Sequence, residues 1–291
     1  MSASPTLPAT PCDCHVHVFD PARFPYAPRR AYTPPPASVQ ELAQLHRGLS
    51  VDRAVLVQPS VYGTDNACML DALQVLGLDR ARGIAVVDLV AASETELRRL
   101  HEGGVRGVRL NLHVSGDGLA DAKRQVQAAR RLQALPGWSL QVHASLDLHV
   151  ALLEDFRALE LPVVLDHFAG GLLPDPATDD LLGRLLGELR RGHLYVKLSA
   201  PERLWTGAGP GHAARLAREF HAAAPDRLLW GSDWPHTGGS GQRGGDAQAI
   251  EPFRTVHDVQ VLRDLLACLP DDDARHRLLV RNPATLYGFA A

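Results

Sequence analysis

The sequence has little lysine, no marked excess of either charge and no long apolar run. Over 291 residues, 30 basic side chains against 33 acidic ones leave a formal charge of −3. This balance offers no electrostatic surface for nucleic acid or an anionic membrane, which bind clustered positive charge. No uninterrupted apolar run approaches the roughly 18 residues of a membrane span. These absences exclude polyanion-binding and membrane-spanning proteins, and 45% hydrophobic residues indicate a globular chain with a sizeable core.

Cysteine is also scarce, and its spacing excludes a disulfide framework. The four cysteines are irregularly spaced and include no CxxC pair. Cys12 and Cys14 are expected to pack behind the first strand. The N-terminus, MSASPTLPATP, lacks the basic start and apolar stretch of a signal peptide. We therefore expect a cytoplasmic protein, monomeric or homodimeric, with one domain over residues 12–291 behind a flexible tail of residues 1–11.

Short apolar runs alternate along the chain with longer stretches of helical periodicity, which is the main indication of the fold. Eight strands, each followed by a helix, match a (β/α)8 barrel, whose usual length is about 250 residues. A doubly wound open sheet is the alternative, but it usually carries a glycine-rich loop after its first strand, and residues 12–22 contain no glycine. The predicted strands are 12–18, 53–59, 83–89, 105–111, 138–144, 162–167, 194–199 and 227–232.

Two of the helical stretches open with a capping box, in which a serine and a glutamate three residues later satisfy each other's backbone N–H groups. The pairs are Ser38 with Glu41 and Ser93 with Glu96. Two long loops, 20–37 and 235–252, follow predicted strands. Because a barrel keeps its active site at that side of the strands, we expect these loops to act as lids or to bind substrate.

Polar residues gather at the predicted carboxyl ends of the strands. His15 and His17 point together because alternate residues of a strand share a face. His143 and His167 lie at the ends of the fifth and sixth predicted strands, and Asp233 lies just past the eighth, at the same mouth. Four imidazoles and a carboxylate match the ligands of zinc or a similar divalent ion, which could ionise a bound water near pH 7 instead of about 15.7. The alternatives are histidines hydrogen-bonded in the core, or a polar cluster without metal.

Several segments together carry a resemblance to a known family. In their order and spacing they resemble the amidohydrolase superfamily, and within it a branch of lactone hydrolases that act on pyrone dicarboxylates and on the lactones of sugar acids. The resemblance extends from about residue 12 to the end of the chain and implies a (β/α)8 barrel. It also implies that Asp233 is the general base, with His15, His17 and His167 around the scissile carbonyl. The segments are DCHVHVFD, VLVQPSVYGTDN, RGVRLN, DHF, VKLSAPERL, WGSDWPH and RNPATLYGF.

The same resemblance implies residues that bind substrate carboxylates. Arginine suits this role because its planar fork donates two parallel hydrogen bonds. Ser115 and Gly170 stand where such relatives carry further arginines, which implies a less acidic or differently arranged substrate. The positions that match are Tyr32, Ser60, Arg109 and Arg203.

Further expectations concern the roles of His143, His236 and Arg109. His143 stands where a relative that works without metal has a tyrosine, so its presence restores the superfamily's metal-ligand pattern and implies zinc. His236 is expected behind the site or in contact with substrate. For Arg109, which shares a strand face with residues aimed into the mouth, an internal ion pair that closes the barrel is the alternative.

The predicted function is hydrolysis of a lactone of a carboxylated small molecule, such as a pyrone, muconolactone-type or sugar-acid lactone. Asp233 would take a proton from the attacking water, and His167 would hydrogen-bond the carbonyl or its developing oxyanion. Closure of a hydroxy acid to its lactone would use the same groups. The alternatives are a metal-dependent decarboxylase of an aromatic or muconate-type acid in the same superfamily, and a barrel that binds a sugar acid without catalysis.

Overall fold

The computed structural model describes residues 9–112, 118–170, 176–204, 210–238 and 246–290. Within them, eight parallel strands form one sheet in sequential order. Backbone hydrogen bonds from Asp233 N to His15 O and from His17 N to Trp234 O, both 2.9 Å, join the last strand to the first and close a barrel. The strands are β1 (Cys12–Val16), β2 (Arg53–Val57), β3 (Ala81–Ala85), β4 (Val105–Asn111), β5 (Ser139–His143), β6 (Val163–Leu165), β7 (Leu194–Ser199) and β8 (Leu228–Gly231).

Helices lie between the strands, which confirms the predicted (β/α)8 architecture. The Ser38 capping box forms in full, with hydrogen bonds in both directions between Ser38 and Glu41. At Ser93, the hydroxyl accepts a hydrogen bond from the Glu96 amide. The main helices are Val39–Leu49, Ala67–Leu76, Glu94–Glu102, Gly118–Ala128, Leu146–Ala151, Leu153–Arg157, Pro176–Leu189, Pro210–Ala223, Asp258–Ala267, Asp272–His276 and Asn282–Tyr287.

The two faces of the strands have different partners. Outward-facing residues such as Leu56, Leu110 and Leu198 are buried in the main hydrophobic core beneath the helices. Inward-facing residues of the lower half form a second apolar cluster, closed by Tyr287 from the last helix. This apolar plug leaves only the upper half of the barrel for polar groups. Its strand members are Cys12, Cys14, Val55, Val57, Ile84, Val164, Tyr195 and Leu229.

A register shift in β1 between Asp13 and Val16 breaks the expected alternation of faces. Cys12 and Cys14 both pack inside the barrel with the apolar plug, whereas Val16 belongs to the outer core, so the expectation that these two cysteines pack behind the strand is wrong. The shift brings His15 inward directly above Cys14. A Cβ on Gly231 of β8 would lie 2.6 Å from the Cβ of His15, so β8 approaches His15 as closely as it does only because residue 231 is glycine.

The two long loops meet above the barrel. The Glu251 amide donates to the Thr33 carbonyl at 2.8 Å, and the Thr33 hydroxyl donates to the Ala247 carbonyl at 2.7 Å. Residues 239–245 of the second loop, and 1–8 of the predicted tail, lie outside the described residues. Across the described ranges, no helix has the length and apolar character needed to cross a membrane.

Candidate active site

Asp233 lies at the centre of the polar mouth, two residues after the end of β8. Its Oδ1 faces three imidazole nitrogens, at 3.7 Å from His15 Nε2, 3.8 Å from His17 Nε2 and 3.9 Å from His167 Nε2. These separations exceed hydrogen-bond length, so none of the three imidazoles is hydrogen-bonded directly to Oδ1. The structure thus brings together four of the five residues predicted to converge at the strand ends.

The second oxygen of Asp233 is held by arginine. Asp233 Oδ2 accepts hydrogen bonds from Arg203 Nη2 at 2.8 Å and Nε at 3.2 Å, and Arg254 Nη2 lies 3.5 Å away. Burial would raise the pKa of Asp233, but the adjacent Arg203 guanidinium holds it well below its usual range. The carboxylate is therefore ionised, with Oδ2 occupied and Oδ1 presented to the mouth.

The backbone around the site is held in an unusual conformation. His167, Asp233 and His236 have φ angles of 47°, 66° and 69°, in the left-handed region that non-glycine residues seldom adopt. Such residues each cost on the order of 1–3 kcal/mol and concentrate at functional sites. The turn after β6 and the turn after β8 therefore aim His167 and Asp233 at one point at the expense of local stability.

The three histidines that face Asp233 are neutral. Burial lowers the pKa of His17 and of His167 to about 4, and burial together with the nearby Lys197 ammonium lowers the pKa of His15 well below its ordinary value. The His17 Nδ1 lies 2.7 Å from the Val57 carbonyl oxygen, which can only accept. His17 must therefore carry its proton on Nδ1, which leaves the lone pair of Nε2 facing Asp233.

A buried polar layer lies directly beneath His15, and the sequence analysis did not identify it. Asp166 Oδ2 accepts from Arg109 Nε at 2.9 Å and from Gln141 Nε2 at 3.1 Å. Lys197, fully buried on β7, donates to Gln141 Oε1 at 2.7 Å and lies 3.3 Å from His15 Nδ1. A lysine at an inward position of the apolar run LYVKLS was the pattern that could have indicated this layer.

The side chains offer two overlapping sets of possible cation ligands, the first with His17 and Asp233 around His15 and the second with Asp166 and His167 around the same residue. His15, His17 and Asp233 each offer one ligand atom, and these atoms lie within 4.8 Å of one another. The buried His15 Nε2 has no hydrogen-bond partner among the described residues. Two imidazole nitrogens and a carboxylate oxygen are a donor set suited to zinc. His143 lies outside this group, with its ring centroid 5.0 Å from that of His167.

The four residues predicted to bind substrate carboxylates have different surroundings in the structure. Arg203 contacts Asp233, and Arg109 forms the internal ion pair with Asp166 that was its alternative. Tyr32 is buried. Ser60 begins the short helical turn Ser60–Tyr62 after β2.

His236, Gly170 and Ser115 are the remaining positions singled out in the sequence. The His236 imidazole lies 3.0 Å from the Asp258 carboxylate, at the start of the helix Asp258–Ala267. A Cβ on Gly170 would lie 2.6 Å from the Ala144 carbonyl oxygen, so no arginine side chain fits there in this conformation. Ser115 lies outside the described residues.

Arg254 and Glu202 are further charged residues of the mouth that the sequence analysis missed. Arg254 Nη1 donates to Glu202 Oε1 at 2.7 Å, and its Nε donates to the Thr237 carbonyl at 3.1 Å. Arg203 Nη2 donates to the same carbonyl at 2.9 Å. The two guanidinium groups are thus fixed side by side next to Asp233. Arg254 follows the long β8 loop, where no periodicity places a side chain.

Comparisons with known proteins agree with this architecture. The model of the family described as Amidohydrolase matches residues 12–289. A 4-sulfomuconolactone hydrolase of Rhizobium radiobacter is 33% identical over 97% of this chain and 91% of its own, and a 2-pyrone-4,6-dicarboxylate hydrolase of Comamonas testosteroni is 34% identical over the same shares. A crystal structure of a probable 2-pyrone-4,6-dicarboxylic acid hydrolase from Acinetobacter baumannii, with citric acid bound, is 28% identical. It superposes with a TM-score of 0.77 over 96% of this chain and all of that one. Because the family match extends over nearly the whole chain, this chain belongs to the amidohydrolase family.

Proposed function

We propose that the protein is a lactonase that opens the ring of a carboxylated small-molecule lactone by attack of water at the Asp233 centre. The observation that carries the proposal is the divided role of Asp233, whose Oδ2 is held by Arg203 while Oδ1 faces three imidazole nitrogens at 3.7–3.9 Å. An ionised carboxylate with one oxygen so presented is suited to orient and deprotonate a water. The relatives named as lactone hydrolases support the same reaction.

In this mechanism, the water lies between Asp233 Oδ1 and the imidazoles. It transfers a proton to Oδ1 while its oxygen attacks the lactone carbonyl carbon. The Ser199 hydroxyl lies 2.9 Å from His167 Nδ1 and can donate to it; in the proposed mechanism it does so, which leaves the His167 proton on Nε2. That N–H stabilises the developing oxyanion. The protonated Asp233 then returns the proton to the leaving ring oxygen, which completes ring opening.

The arginines of the mouth provide charge for an anionic substrate. Arg203 is 26% exposed, and Arg254 beside it is 25% exposed, so both guanidinium groups reach the solvent-facing side of Asp233. A substrate carboxylate paired with them would lie next to Asp233, beside the Oδ2 that Arg203 contacts. We therefore infer that Arg203, with Tyr32 and Ser60 at the rim, orients the acidic end of the lactone. We assign Arg109 to the barrel interior through its pair with Asp166.

A divalent cation, which we propose to be zinc, fits the mouth through His15, His17 and Asp233. When bound, such an ion supplies Lewis acidity that lowers the pKa of water towards 7. This chemistry matters because the arginine contacts that keep Asp233 ionised also make it a weak base. His143, near His167, borders the site and is the remaining predicted ligand.

All four cysteines are free thiols, which is consistent with the expected cytoplasmic location.

Product analysis tests the proposed function. The purified protein is incubated with 4-sulfomuconolactone, 2-pyrone-4,6-dicarboxylate and an aldarolactone, with and without chelator, while acid release is followed and products are identified by mass spectrometry. We expect ring opening of at least one of them without release of carbon dioxide. Release of carbon dioxide from a carboxylated substrate with no ring opening would instead support a decarboxylase.

A further inference from the structure

The nitrogen of His15 that faces away from the mouth has two opposed neighbours. His15 Nδ1 lies 3.3 Å from Lys197 Nζ and 3.3 Å from Asp166 Oδ1. Lys197 is a donor and the carboxylate is an acceptor, so Nδ1 satisfies the first with its lone pair and the second with a proton. It cannot do both at once. All three side chains are fully buried, so no bulk water resolves the conflict.

The surrounding hydrogen bonds fix both neighbours in place. Gln141 donates to Asp166 Oδ2 through Nε2 and accepts from Lys197 through Oε1, which is the amide orientation that suits both charges. Arg109 donates to the same Asp166 oxygen. Of the two contacts at His15 Nδ1, only that with Lys197 is aligned as a hydrogen bond, and Asp166 Oδ1 accepts none from the described residues.

The consequence for the mouth follows from the two tautomers of a neutral imidazole. When Nδ1 accepts from Lys197, the His15 proton is on Nε2, which then donates towards Asp233 or a substrate oxygen. When Nδ1 donates to Asp166, Nε2 carries a lone pair and becomes a metal ligand. His17 has no such choice, because the Val57 carbonyl fixes its proton on Nδ1. The metal affinity of the site therefore depends on His15.

We propose that Lys197 and Asp166 are opposed positioning residues that select the tautomer of His15, and thereby decide whether the Asp233 centre binds a divalent cation or works as a metal-free hydrogen-bonding site. Lys197 favours the metal-free form, and Asp166 favours the metal-binding form. The inference rests on the proposed use of His15 at the mouth. It does not depend on which lactone is the substrate.

Two substitutions of Lys197 distinguish an effect on the His15 tautomer from an effect of the lost positive charge. Lys197→Met and Lys197→Gln both remove the positive charge next to His15, but only glutamine can still donate to Nδ1. Zinc affinity is measured for both by competition with a chromophoric chelator. We expect the methionine variant to bind zinc about tenfold or more tightly than the glutamine variant, the scale of effect typical of groups that orient metal ligands. Equal zinc affinities in the two variants would overturn the proposal.

The chain offers a matched control and a measurement that needs no variant. Lys123 is the other lysine, 44% exposed on the surface near Asp155, and Lys123→Met should leave zinc affinity unchanged. In the unaltered protein labelled with nitrogen-15 histidine, the His15 resonances, assigned by loss in His15→Gln, should report Nε2–H without metal and Nδ1–H after zinc is added. A proton on Nδ1 in both states would overturn the proposal. Neither readout uses lactone turnover, so failure of the lactonase proposal would be seen separately.

Discussion

Gly231 of β8 is the position at which a single methyl group should disrupt the site most directly. A Cβ there would lie 2.6 Å from His15 Cβ and 2.9 Å from His15 N, whereas carbon atoms in contact are about 3.5–4.0 Å apart. Relief of this overlap in Gly231→Ala requires β1 and β8 to separate by about 1 Å, because the nearest atoms belong to the backbone or its Cβ. Such overpacking costs about 1–3 kcal/mol in unfolding free energy.

The same displacement should also lower the rate of catalysis. Displacement of a catalytic group by about 1 Å can cost roughly 10²-fold in rate. We therefore expect the kcat/KM of Gly231→Ala for lactone opening to fall by about two orders of magnitude while the variant remains folded in a thermal melt. Gly183, in the helix Pro176–Leu189, has no neighbouring atom within 4 Å of an added Cβ among the described residues. Gly183→Ala should keep full activity and gain about 0.5–1 kcal/mol. A folded Gly231→Ala protein with unchanged kcat/KM would refute the claim that close approach of β8 positions His15.

Three further outcomes follow from the charges of the mouth. The pKa values of His17 and His167 are about 4, whereas histidine in an unfolded chain titrates near 6.5. Between these two pH values the unfolded chain therefore binds more protons than the folded protein. The free energy of unfolding should fall by on the order of 3 kcal/mol per histidine as the pH drops from 6.5 to 4, and urea unfolding midpoints would report this fall. Flat midpoints over this range would contradict the buried neutral state. Asp233→Asn should lower kcat/KM about 10²–10⁴-fold with no loss of fold, and unchanged turnover would exclude Asp233 as the base. Arg203→Ala removes a group that lowers the pKa of Asp233, so the acid limb of kcat/KM should move to higher pH, and an unmoved limb would argue against this coupling.

The strand ends could be located from the sequence because the periodicity of a barrel is simple. Alternation of apolar runs and helical stretches predicted all eight strands, although β3 begins at Ala81, two residues before the predicted start. The rule that strand carboxyl ends share one mouth also placed His15, His17, His167 and Asp233 together, and the structure has them within 3.9 Å of one Asp233 oxygen.

The contacts between these residues could not be predicted in the same way. Period-two alternation cannot indicate the register shift in β1, so it places Cys12 and Cys14 on the wrong face. The pairing of Arg109 with Asp166 and of Arg203 with Asp233 depends on which side chains meet across the barrel, and sequence spacing carries no such information. Lys197 illustrates the same limit. The sequence places it on β7, but its contact with His15 joins two strands that are distant in sequence, which the strand pattern does not reveal.

The most direct test of the account is the fate of solvent oxygen in one turnover. A lactone that the protein consumes is incubated in water enriched in oxygen-18, and the product is examined by mass spectrometry. Attack of an Asp233-activated water on the carbonyl predicts one oxygen-18 atom in the newly formed carboxylate of a ring-opened acid. A product that has lost carbon dioxide, or an isomeric lactone without solvent oxygen, would contradict hydrolysis at this centre.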